Sequence, residues 1–263
     1  MAEISPLAVI EEGAELADDV RVGPFSYVGP EVRVGPGCIL ENNVTLTGRT
    51  TLGARNHVFP MAVIGASPDD QDAPGAAPVS GQCLLEQANT LREHVVIYGG
   101  REQPTRVGSD NLIMIGCQIG PGATIGNHEI FANCTHVLAG AVVEDYVRTS
   151  AFPVVGAGVR VGAYSFIAGY ARIDHDAPPF AMLQGQPFRV RVVNTHNLKR
   201  CGFDEDDIRA LKQAFRQLYN GADGQVDPDV VGRILADVSA RPPVHRLAEA
   251  VERSLGGGDR QDG

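Results

Sequence analysis

Residues 16 to 46 read LADDVRVGPFSYVGPEVRVGPGCILENNVTL, with aliphatic side chains at Leu16, Val22, Val28, Val34, Leu40 and Leu46. Four positions after the first five stand Val20, Ser26, Val32, Cys38 and Val44, which are small or short. A spacing of six is neither the 3.6-residue period of a helix nor the plain alternation of an open sheet. One large and one small inward residue per six, with turns such as Gly23-Pro24 and Gly35-Pro36 between them, describes a triangular coil of three short parallel strands. Eighteen residues then make one turn of a parallel β-helix.

Outward from this stretch the register begins at Ile4 and Ile10, and it continues through Leu52, Val58 and Ile64. It resumes at Leu85, Leu91 and Ile97, and again from Val107 through Ile113, Ile119, Ile125, Phe131, Val137 and Val143. Thr149 breaks the aliphatic run, which closes with Val155, Val161, Ile167 and Ile173. Two stretches leave the register as excursions, 67 to 84 (SPDDQDAPGAAPVSGQCL) and 101 to 106 (REQPTR). Excursions from a solenoid commonly gather on one face and shape a cleft or a subunit contact.

Composition supports this reading. The 263 residues include 31 Gly and 17 Pro but only 6% aromatics and no Trp, which suits many tight turns. No apolar run approaches the length of a membrane span. A net charge of -10, without a basic patch rich in aromatics, argues against nucleic acid as a partner. Glu3 stands where a secretory signal would carry basic residues, so a cytoplasmic location is expected. Cys38, Cys83, Cys117, Cys134 and Cys201 form no metal-ligand spacing and read as reduced structural thiols, so no metal site is expected.

After Ile173 the pattern becomes helical. Phe203 followed by Asp204 to Asp207 reads as a helix start, and Ile208, Leu211, Phe215 and Leu218 form its stripe before Asn220-Gly221. Two more helices are expected near 227 to 239 and 243 to 255. The expected division is a β-helix over 1–185 and a helical domain over 186–263. Arg189, Arg191, Lys199, Arg200, Arg209, Lys212 and Arg216 gather around the first helix, either as a solvated face or as a surface for an acidic or phosphorylated partner.

These features together resemble the acyl-carrier-protein:UDP-N-acetylglucosamine O-acyltransferase family, which begins lipid A synthesis. The resemblance rests on Val22-Gly23-Pro24-Phe25, on Val107 to Leu112 with Met114, on Leu198-Lys199-Arg200 with Gly202-Phe203, and on the order of solenoid, two excursions and three helices. It implies a left-handed β-helix of hexapeptide repeats with a C-terminal helical domain, assembled as a homotrimer with clefts between neighbouring β-helices. It also implies acyl carrier protein as donor, a nucleotide sugar as acceptor and no cofactor.

Within the resemblance, one pattern departs. The family places a His-Asp pair after an Ile-Ala in a middle coil, and here that place reads Pro121-Gly122. Transfer of an acyl group to a hydroxyl needs a general base, and a proline side chain holds no proton acceptor. Positions of further family histidines read Gln118, Gly140 and Gly156, and the family's His-Arg-Gly-Thr segment reads Tyr98-Gly99-Gly100-Arg101. A lysine expected in the first excursion is Asp72, while the acidic residue before it persists as Asp70. Carried over from the family, Asp70, Gln184, Gly185 and Asn194 would hold substrate, Gly169 would leave room for the acyl end, and Arg200 and Lys212 would receive the carrier. The family's second arginine after Lys199 is Cys201.

Other histidines remain as candidates. Residues eighteen apart stack, so His136 lies over Gln118, and His175 is three coils from Pro121, about 14 Å at a strand spacing of roughly 4.8 Å. His136 is either a relocated base or a surface or interface imidazole. Two functions therefore stand: an acyltransferase of altered substrate or mechanism, and a noncatalytic binding or scaffold paralogue.

Overall fold

The computed structural model describes residues 2–67, 81–219 and 226–256. Its first part is a parallel β-solenoid, with three sheets of eleven, nine and eight strands lying side by side along the chain axis. Strands of only two residues suffice because each coil hands its backbone bonds to the next, as in Gly23 N–H to Leu40 O at 2.8 Å. The pairing follows the six-residue register: Val34 lies over Leu52, Leu52 over Leu85, Leu85 over Val107, and Val107 over Ile125. The large inward residues from Val22 to Ile173 are almost wholly buried. At roughly 25 cal/mol per Å² of apolar surface removed from water, this column is the main source of stability.

The turns explain the rest of the composition. Many corners hold a residue in the left-handed region, among them Asn43, Arg55, His94, His128, Tyr146 and Tyr164. At the corner between the second and third sheets the same place is glycine in three successive coils, Gly122, Gly140 and Gly158, with φ of 69°, 66° and 66°. Glycine meets that conformation without steric cost. Both excursions leave from this corner, one between strands Val63–Ala66 and Gln82–Leu85, the other between Val96–Tyr98 and Thr105–Val107. The returning strands begin at Gln82 and Thr105, inside the stretches expected to loop out, because Cys83 and Thr105 already point inward and are fully buried.

The column of small inward residues turns polar at one corner. Asn56, Asn89 and Asn111 stack there, each fully or almost fully buried. Asn56 Oδ1 accepts from Asn89 N and Nδ2, both at 3.0 Å, and Asn89 Oδ1 accepts from Asn111 N at 3.1 Å. The ladder continues to Glu129, whose N–H donates to Asn111 Oδ1 at 2.7 Å.

All five cysteines are free. Burial pushes the Cys83 thiol up to about 12 and the Cys117 thiol up to about 11, and Cys38 is raised chiefly for the same reason. Brief alkylation of the folded protein at neutral pH is expected to label Cys134 and Cys201, which are half-buried, and to spare the other three. Peptide mapping checks this, and labelling of Cys83 at the same rate as Cys134 would contradict the burial.

The solenoid ends differently from its repeats. Strand Ala181–Gln184 joins the first sheet in parallel, and Arg189–Val193 then turns back antiparallel, extending the sheet to Val193. Among the described residues four helices follow: α1 (Thr195–Arg200), α2 (Glu205–Leu218), α3 (Pro228–Ala236) and α4 (Pro242–Gly256). The α1 segment escapes sequence reading because its six residues offer one buried aliphatic, Leu198, and no periodic stripe. The start of α2 is as expected, with Asp204 capping Asp207 N and Ile208, Leu211, Phe215 and Leu218 buried. Asp204 also pairs with Arg241 at 2.7 Å, and Asp207 bonds the same guanidinium, tying α2 to the start of α4. Among the described residues, no helix is long and apolar enough to cross a membrane.

Candidate functional site

The corner between the second and third sheets carries the candidate site. Gln118–Ile119 ends the second-sheet side with Gln118 exposed and Ile119 buried, Gly120 to Gly122 make the turn, and Thr124–Ile125 begins the third-sheet side. Residues 101 to 104 fold back over this turn. Gln103 Nε2 donates to Gly122 O at 3.1 Å, and Gly122 N–H donates to Thr105 Oγ1 at 2.9 Å. Thr105 in turn donates to Tyr98 O at 2.6 Å. Both side-chain groups bonded to Gly122 are therefore a neutral amide and a neutral hydroxyl.

The fit is close. A Cβ on Gly122 would stand 3.1 Å from Gln103 Cγ and 3.2 Å from Gln103 Nε2. A Cβ on Gly100 would lie 1.9 Å from Gln103 O and 2.7 Å from Gly122 N, so the excursion can close only over glycine. Farther along the corner the space opens: a Cβ on Gly140 would touch Gly158 only at 4.0 Å, and one on Gly158 would meet nothing within 4 Å.

His136 lies where the register puts it, paired with Gln118 on one side and Val154 on the other. It is half-buried, and its backbone N–H donates to Pro153 O at 3.0 Å. His175 is held elsewhere, with Nδ1 2.7 Å from Asp174 Oδ1 and its ring on Phe188 at 4.3 Å. It borders a cavity of about 760 Å³ between the last coil and helices α2 and α4, which Tyr219 and Val251 also line.

The remaining expected residues are spread out. Asp70 and Asp72 lie outside the described residues. Gln184 is exposed beside Arg189, and Gly185 turns the hairpin with φ of 102°. Asn194 is 5% exposed, with both ends of its amide engaged: Oδ1 accepts from Asn197 N at 3.4 Å as the cap of α1, and Nδ2 donates to Tyr164 O at 2.9 Å. Gly169 packs tightly, since a Cβ there would be 3.2 Å from Ala151 O and 3.3 Å from Ser150 Oγ. Beside it, exposed Tyr170 stacks on Phe152 at 5.1 Å. Arg200 and Lys212 line separate clefts, Arg200 with Arg148 and Tyr146, Lys212 with Val192 and Arg216. Of the cations around the first long helix, Lys199 pairs with Glu205 at 2.6 Å and Arg209 with Asp206 at 2.8 Å.

One group escaped the sequence reading. Glu129 occupies the small inward phase, four residues after Ile125, and both carboxyl oxygens are buried without a hydrogen-bond partner. Burial pushes its carboxyl well above the ordinary carboxylate range, and the charge of Asp145 pushes the same way. The Val147 N–H and Arg148 pull in the opposite direction without reversing it. The signal was in the register itself, because Glu129 follows Asn111 by one coil in a column of small residues.

The second domain of the UDP-N-acetylglucosamine O-acyltransferase family matches residues 176–257, and the six-repeat bacterial transferase hexapeptide family matches residues 13–48. An acyl-(acyl-carrier-protein):UDP-N-acetylglucosamine O-acyltransferase of Syntrophobacter fumaroxidans is 35% identical over 259 residues, covering 97% of this chain and 98% of its own length. One from Saccharophagus degradans is 35% identical over 222 residues, covering 83% and 85%. Among solved structures, a UDP-N-acetylglucosamine acyltransferase from Bacteroides fragilis superposes with a TM-score of 0.87 at 30% identity, over 95% of this chain and 97% of that one. The enzyme from Campylobacter jejuni gives 0.88 at 26% identity, over 96% and 97%.

Proposed function

Because the chain belongs to the acyl-(acyl-carrier-protein):UDP-N-acetylglucosamine O-acyltransferase family, we propose that it is an acyltransferase-related protein of lipid A metabolism whose ordinary histidine-dependent transfer is altered or lost. The observation that carries this reading is the closed turn at Pro121-Gly122. Its side chains offer no proton acceptor, and Gln103 and Thr105 bond the Gly122 backbone from above. An acceptor hydroxyl brought to that turn would meet no base able to take its proton at neutral pH.

Binding roles are compatible with the loss of that base. A homotrimer would bring a neighbouring copy against the glycine corner, and Arg200, Lys212, Gln184 and Gly185 remain to receive an acyl carrier protein or a nucleotide sugar. A second reading keeps catalysis and moves the base to His136, and it is favoured by that residue's half-exposed place directly over Gln118.

The test is acyl transfer from acyl carrier protein to UDP-N-acetylglucosamine. Wild-type turnover is expected to lie about 10²- to 10⁴-fold below that of a relative with the His-Asp pair. The double variant Pro121→His/Gly122→Asp is expected to recover little, because Gly122→Asp crowds the Gln103 side chain at 3.1 Å and puts a side chain on a left-handed backbone of φ 69°. Adding Gln103→Gly removes that crowding and is expected to give the larger rate of the two variants. Wild-type turnover equal to the relative's would refute loss of the ordinary reaction, and its abolition by His136→Gln would establish the relocated base.

A further inference from the structure

The cavity beside His175 has two unlike walls. Its helical wall is mostly apolar, with Ala250, Val251 and Leu255 from α4 and Val226 from the approach to α3. Its solenoid wall brings Phe188 and Val190 together with the polar groups, His175 and Asp176 from the last coil and Arg189 and Arg191 from the returning strand. Ser254 Oγ of α4 donates to Asp176 O at 3.4 Å, so the helix is fastened to the last coil across this space. At about 760 Å³ the cavity is within the usual range of small-molecule sites.

Several donors on these walls are unspent. Arginines elsewhere in this acidic chain have carboxylate partners, as Arg160 has Glu144 at 3.1 Å and Arg241 has Asp204 at 2.7 Å. Arg189 and Arg191 have none among the described residues. Tyr219, one residue past α2, packs its ring on Phe215 at 5.3 Å, and its hydroxyl has no hydrogen-bond partner among the described residues. Burial pushes that phenol up, so it remains a donor at neutral pH. The carboxylate on the lining is already engaged, since Asp176 Oδ1 accepts from Arg160 N at 2.8 Å. Asp174 is engaged as well, by His175 Nδ1 at 2.7 Å, which leaves Nε2 as the other polar atom of that ring.

We propose that this cavity binds a straight-chain carboxylic acid, with its carboxylate at Arg189 and Arg191, its alkyl chain against Phe188 and α4, and the Tyr219 hydroxyl as a further donor. The guanidinium fork matches a carboxylate, and the chain removes the apolar wall from water. A wholly polar anion would leave that wall wet. Pro121, His136, Gly169 and Arg200 do not line the cavity, so binding here is independent of whether acyl transfer persists.

Calorimetric titration of the full chain with decanoate, and separately with uncharged decanol, tests it. Saturable binding of decanoate to one site per chain is expected, with decanol weaker by roughly tenfold because it lacks the charge. The double variant Arg189→Gln/Arg191→Gln is expected to weaken decanoate roughly tenfold or more and to change decanol less than about twofold. Tyr219→Phe should weaken decanoate about fivefold, the loss of one hydrogen bond. Ala250→Phe fills the apolar side and should weaken both ligands, while the arginine and tyrosine variants, which melt with the wild type, keep the test open if that one fails to fold. Arg33→Gln, at the far end of the solenoid and paired with Glu15, is expected to change decanoate less than about twofold. Unsaturable heats, equal affinity for decanol and decanoate, or decanoate binding untouched by the arginine pair, as for an acid seated beside Gly169 instead, would overturn the site.

Discussion

Replacing Glu129 with Asn is expected to raise the melting temperature at pH 7 by several degrees and to flatten its dependence on pH. The carboxyl has no partner, and its folded pKa lies above the ordinary value because of burial and Asp145. For an acid shifted upward, the folded state binds a proton that the unfolded chain releases. The full stability is thus present below the unfolded pKa of about 4.3 and declines as pH rises from there towards the folded value. At neutral pH the wild-type protein carries that penalty and the Asn variant does not.

Asparagine adds a second gain, because it continues the Asn56, Asn89 and Asn111 ladder by one coil. By the register of the ladder, where each Asn oxygen accepts the N–H one coil on, its oxygen would take the Val147 N–H as Asn111 takes that of Glu129. One satisfied buried donor and the loss of the ionisation penalty together suggest about 2 kcal/mol, or several degrees for a chain of this size. Thermal melts of both proteins from pH 4 to 8 check it. The offset between the two curves should shrink towards the acid end to what the added hydrogen bond contributes, and a constant offset across the range would show that ionisation is not the cause.

Truncation of Phe131 to Ala is expected to cost about 3–5 kcal/mol, the range for emptying a large aromatic from a core. Phe131 is 1% exposed and is among the largest fully buried side chains. It stands one coil before the one break in the aliphatic register. Thr149 is the next residue in its column, eighteen positions on. Its hydroxyl is not wasted, since Thr149 Oγ1 accepts from Ala132 N at 2.9 Å and lies 2.8 Å from Thr135 Oγ1. Phe131→Leu, which keeps most of the volume, should cost less than half as much as Phe131→Ala in urea unfolding. Equal losses would mean that the ring does not fill this column.

The six-residue repeat made the solenoid legible in detail. Leu52, Leu85 and Val107 stack in the structure despite unequal spacing in the chain, because the coil interior removes each aliphatic side chain from water. The first helix of the expected three was equally clear from Asp204 and its stripe. Short α1 was not, because capping by Asn194 and contacts with Tyr146 and Tyr164 define it rather than a period of its own.

For the candidate site the division is sharper. Sequence by itself determined that Pro121 and Gly122 offer no base and that His136 stacks over Gln118, since side-chain chemistry and register are local or periodic properties. Only the tertiary structure decided that Gln103 and Thr105 close over Gly122, that Glu129 is sealed in without a partner, and that Asn197 aims Arg148 beside Arg200. Those contacts join segments at separations outside the repeat. Their geometry depends on where an excursion returns and where a helix docks, which no periodic pattern encodes.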